Sequence, residues 1–115
     1  MGTESADMKG TQMIHLQQGD LLFQKIEAVP SGTETVKRKK RGFVLAEGEH
    51  TGNAHVITEE VELFEKNGVL YVRNEEQVIV QHEEHKPITL EPGIWEVGRV
   101  REYDYFLEMT RTVKD

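Results

Sequence analysis

No cysteine occurs anywhere in the 115 residues. That excludes a disulfide framework and any thiolate metal site, and it fits a reducing, cytoplasmic setting. Apolar residues make up only 37% of the chain, with a single tryptophan, so the core is small and the surface highly charged. No apolar run approaches the roughly 18–20 residues needed to cross a bilayer, and no basic-then-apolar leader is visible, so no membrane partner is expected. Positive charge is not in excess either. A net charge of −7 argues against a general nucleic-acid binder, which needs a positive face for phosphate. A phosphate-cradling glycine loop and a nucleophile elbow are both missing, which argues against an ATPase or a serine hydrolase.

What the chain does have is histidine beside carboxylate. Four of its five histidines fall in two short clusters, Glu49-His50-Thr51-Gly52-Asn53-Ala54-His55 and His82-Glu83-Glu84-His85. Imidazole next to carboxylate is the chemistry of metal ligation and of proton transfer near neutral pH. Positive charge is concentrated too. Lys37-Arg38-Lys39-Lys40-Arg41 holds five of the fourteen basic residues, and the other nine face 21 acidic ones, leaving −12. Such a run is either a local phosphate or RNA contact or a solvated loop leaning on the protein's own acidic surface.

Most local signals are β. Residues 1–10 are polar and aperiodic and read as a disordered tail, followed by one domain over residues 11–115. Met13-Ile14-His15-Leu16 precedes a Gln18-Gly19-Asp20 turn, and residues 21–26 form an apolar run closed by Pro30-Ser31-Gly32. Residues 31–41 read as a long mobile basic loop, and residues 42–46 as a short buried strand. Asn67-Gly68 between residues 61–65 and 69–73 predicts a hairpin, with a helix over residues 58–66 as the competitor. Residues 78–80, 88–90, 94–97, 100–103 and 106–110 complete the strands, with Pro92-Gly93 as a turn and Trp95 as a core anchor. Short strands with turns every 8–12 residues predict an all-β fold, a single small antiparallel barrel or sandwich.

Three functions follow from these residues. In the first, His55, His82, Glu84, His85 and Glu49 line a barrel and hold a divalent metal such as Zn, Mn, Fe or Ni, with an open position for hydrolysis of a small molecule. In the second, His55, His82 and His85 act as acid and base without metal. Arg101 and Tyr103 then support a phosphodiester, and residues 37–41 hold the RNA backbone, as in a metal-independent ribonuclease. In the third there is no chemistry. The tyrosines and arginines of residues 99–105 form a partner surface, or an exposed β edge makes a homo-oligomer. His15 is expected at a strand edge or in the core.

Several strings together resemble a family of uncharacterised small proteins of bacteria and phages. They are Gln18-Gly19-Asp20-Leu21-Leu22, Leu45-Ala46-Glu47-Gly48-Glu49 with Thr51-Gly52 and His55, His82-Glu83-Glu84-His85 with Pro87-Ile88, Leu90 and Pro92-Gly93, and Arg101-Glu102-Tyr103. The resemblance spans roughly residues 17–105 and implies membership, not an activity. The family pattern reads Gly-Glu-x-Thr-Gly-His-x-His, and Asn53 stands where its first histidine would be; Val100 stands where the last motif often has Gln. The asparagine weakens any site needing two imidazoles there. A fainter similarity links Asn53, His55 and Glu59, followed by a Pro-Gly turn, to the cupin pattern, which implies a jelly-roll barrel holding a metal through His and Glu. The second cupin motif is not properly present.

Overall fold

A computed structural model describes residues 15–48 and 52–99. The described residues contain no helix, hence none long and apolar enough to cross a membrane. Ten strands lie among them: β1 His15–Gln18, β2 Leu21–Ile26, β3 Glu34–Val36, β4 Phe43–Glu47, β5 Ala54–Ile57, β6 Glu62–Lys66, β7 Val69–Asn74, β8 Val78–Gln81, β9 Ile88–Leu90 and β10 Gly93–Arg99. They form two antiparallel sheets, one in the order β1-β2-β10-β7-β6-β3 and one in the order β9-β8-β5-β4. Neither sheet closes on itself, so the all-β expectation is met by its sandwich form.

The two inner faces supply the core in rows that run across the strands. In the larger sheet Leu63, Val72 and Trp95 stand opposite one another on β6, β7 and β10. In the smaller, Phe43, Ile57 and Val80 do so on β4, β5 and β8. All six are buried and belong to one apolar cluster with Leu21, Phe23, Leu45, Val78, Leu90 and Val97. Each such side chain contributes about 1.5–3 kcal/mol on leaving water. Trp95 is the largest, and its indole N–H donates to the Glu91 carbonyl at 3.0 Å, so its one polar atom is satisfied.

The Asn67-Gly68 turn joins β6 to β7, with φ of 54° and 81° at its two residues, as a primed turn requires. The helical alternative over residues 58–66 is therefore excluded: residues 62–66 are β6. The basic segment expected as a loop over residues 31–41 contains a short strand. This is β3, which pairs with β6 through the β-branched Thr35 and Val36, and Lys39 and Gly42 form a β-bridge. The expected tail over residues 1–10 and the strand signals at 13–14, 100–103 and 106–110 lie outside the described residues.

Candidate functional site

The site forms where the β1–β2 turn of one sheet meets the ends of β5 and β8 of the other. Gln18 closes β1 and is only 2% exposed. Its side-chain nitrogen lies 2.9 Å from the Val80 carbonyl oxygen and 2.8 Å from that of Lys86. Two carbonyl oxygens can be met only by an NH2 group, which fixes the amide orientation. The Gln18 Oε1 oxygen is thereby aimed at His55 Nδ1, 2.8 Å away.

That contact decides the chemistry of His55. An amide oxygen can only accept, so Nδ1 carries the proton and Nε2 bears the lone pair in the neutral ring. Burial pushes the His55 pKa down from 6.5 to about 4, helped by the His82 charge and opposed by Asp20, so the ring is neutral at pH 7. Asp20 Oδ1 lies 3.5 Å from Nε2. At neutral pH this contact is not an ion pair but a carboxylate facing a lone pair. On its other side Asp20 accepts from Arg99 Nη1 at 2.5 Å. Burial works against ionisation of Asp20, but the charge and hydrogen bond of Arg99 outweigh it and hold the carboxyl below its usual range.

The two histidine clusters converge. The His55 and His82 ring centroids are 4.4 Å apart, those of His82 and His85 4.5 Å, and those of His55 and His85 6.2 Å with planes within 8°. His82 lies between the other two. Strand alternation would have placed His82 with Glu84, and His85 on the opposite face. The strand ends at Gln81, however, and residues 83–85 form a bend that returns His85 to the same side as His82. His85 packs over Gly19, where an added Cβ would stand 2.5 Å from its Nε2.

The Glu84 carboxylate does not join this group. Glu84 takes part through its backbone N–H, which donates to His82 Nδ1 at 3.0 Å and so leaves the His82 proton on Nε2. Glu83 instead turns outward. Its Oε1 accepts the Ala54 N–H at 2.9 Å and its Oε2 meets Arg41. The Ala54 N–H, with Arg41 adding its charge and hydrogen bond, holds the Glu83 carboxyl below its usual range.

Among the described residues, no three His, Asp or Glu side chains are arranged as they stand to hold a metal ion. Glu49, Arg101 and Tyr103 lie outside the described residues, as does His50. His15 opens β1 and is exposed on the sheet edge. Of the basic run, Arg38 donates to the Thr58 carbonyl at 2.8 Å and lies over the Phe43 ring, and Arg41 also donates to the Gly52 carbonyl at 2.7 Å. Lys37, Lys39 and Lys40 are exposed. Sequence reasoning missed Gln18, Asp20 and Arg99 as site residues. The signal available was the Gln18-Gly19-Asp20 string, read only as a turn and as part of a resemblance.

No curated protein and no solved structure matches the chain. The model of the family described as "Domain of unknown function (DUF8820)" matches residues 17–100, the span that contains Gln18, Asp20, His55, His82, His85 and Arg99. The chain belongs to that family.

Proposed function

We propose that this domain binds a divalent cation at His55 Nε2 and Asp20, with the neighbouring histidines adding a further donor when the cation enters. The observation that carries this reading is the fixed tautomer of His55. Its Nδ1–H is spent on Gln18, which is the outer hydrogen bond that metal-ligating histidines ordinarily make. Its lone pair faces a carboxylate, an arrangement that is repulsive until something positive lies between them. A tetrahedral zinc ion about 2.0–2.1 Å from each atom would separate them by about 3.4 Å, and the separation is 3.5 Å.

His85 is the natural third donor. Its ring is nearly parallel to that of His55, whereas the His82 Nδ1 is occupied by the Glu84 N–H. The carboxylate also favours a cation over the metal-free alternative, because a phosphodiester at His55 would meet Asp20. Few protein donors leave coordination positions to water, the arrangement used in metal-assisted hydrolysis.

The test is titration of tag-free, chelator-treated protein with Zn, Mn, Fe and Ni. One cation is expected to bind more tightly than about 100 μM. His55→Asn keeps a donor for Gln18 and removes Nε2, and Asp20→Asn removes the charge. Each should weaken binding at least tenfold. Affinity weaker than that limit, or unchanged in both variants, would overturn the reading.

A further inference from the structure

We propose that the cleft beneath Arg41, on the outer face of the four-stranded sheet, binds a small oxyanion with an apolar body, a carboxylate or a phosphate ester. The cleft shares His82 with the histidine group, but its anchoring donors lie on Arg41, so it does not depend on the cation reading. The cleft has a volume of about 240 Å³ and is lined by Arg41, Ala54, Val56, Thr58, Gln81, His82 and Glu83. That is below the usual 300–1,000 Å³ of pockets for drug-sized ligands, so the occupant is small.

The lining divides by chemistry. Ala54 and Val56 provide an apolar floor, both buried on β5 between its neighbours β8 and β4. Above them the Arg41 side chain reaches from the basic run to the Gly52 carbonyl and Glu83. A guanidinium has five N–H groups. Among the described residues Arg41 spends one on each partner, which leaves three to donate. The Glu84 N–H fixes the His82 proton on Nε2, so His82 presents a donor rather than an acceptor.

An oxyanion already shows how recognition works here. The Glu83 carboxylate binds a backbone N–H with one oxygen and Arg41 with the other. Among the described residues Glu83 is the one carboxylate lining the cleft, and a second guanidinium, that of Arg38, is tied to the carbonyl of Thr58 on its wall. Two guanidiniums thus stand beside one carboxylate here, in a chain whose total is −7. A ligand's anionic head would take the remaining Arg41 donors while its body covers Ala54 and Val56.

The experiment is a titration of ¹⁵N-labelled, metal-free protein with inorganic phosphate and, separately, with butyrate, at constant ionic strength. The signals followed are the amides of Ala54, His82 and Glu83 and the Arg41 Nε–H. Saturable shifts with half-saturation below about 10 mM are expected. Arg41→Gln should weaken binding at least tenfold. Gln81→Glu changes an exposed position on the same wall, adds a repelling carboxylate, and should weaken it similarly without relying on Arg41. Asp20→Asn, which removes the carboxylate of the cation site at a residue outside the cleft lining, should leave it unchanged, which separates this site from the cation site. Whichever probe binds more tightly identifies the head group. Shifts that stay linear to about 50 mM, or that are equal in the wild type and both cleft variants, would overturn the proposal.

Discussion

At the scale of single residues, Gln18 controls the site without being able to do its chemistry. Its NH2 bridges two carbonyls, at Val80 and Lys86, and its oxygen sets the tautomer of His55. One side chain thereby ties the edge of the larger sheet to the β8 strand and to the loop that carries His85. Replacing Gln18 with Leu would remove its hydrogen bonds to two carbonyls, one buried and one half-buried, and to the buried imidazole N–H. The expected loss is about 2–4 kcal/mol of folding stability, measured by urea unfolding, and with it the fixed orientation of His55. A loss within a few tenths of a kcal/mol would mean that water replaces all three bonds. The sequence shows Gln18 only within the Gln18-Gly19-Asp20 turn string, and polar residues beside Gly-Asp ordinarily face solvent in a turn. It is buried only because the second sheet lies over it.

Among the elements, the legible parts are those whose code is local. The β6–β7 hairpin follows from Asn67-Gly68 and its flanking β-type runs, since both turn residues must adopt positive φ. Gly68 has φ of +81°, and no atom would lie within 4 Å of an added Cβ. Gly68→Ala therefore isolates the backbone cost, about 1 kcal/mol, and should lower the unfolding midpoint without altering cation or anion binding. A change in either affinity would show that the hairpin communicates with the site. The convergence of the histidines was less legible. It depends on β5 and β8 being neighbours in the smaller sheet, a pairing of residues 56–57 with 80–81 that no local pattern announces. It depends equally on the chain leaving the strand after Gln81. A period of two carried through residues 82–85 places His82 and His85 on opposite faces, whereas the bend places them 4.5 Å apart. Sequence spacing could name the histidines but not their geometry.

For the whole molecule, the buried imidazole makes folding sensitive to acid. His55 has its pKa lowered from 6.5 to about 4 by burial, by the His82 charge and against Asp20. The unfolded chain therefore binds a proton near pH 6.5 that the folded chain refuses until about pH 4. Where the unfolded state holds more protons, stability rises with pH. The His55 contribution is thus fully present above about pH 6.5 and is lost as pH falls toward 4, a loss of about 3 kcal/mol. Asp20 and Glu83 carry lowered values too, and their contributions are lost further down, below the ordinary values of 3.8 and 4.5. The two effects separate by pH. In chelator-treated buffer, urea unfolding between pH 7 and 4.5 should show stability falling for the wild type and nearly level for His55→Asn, which has no imidazole to protonate. Parallel curves for the two proteins would mean that another group accounts for the slope, and that His55 accepts its proton in the folded state as readily as in the unfolded one.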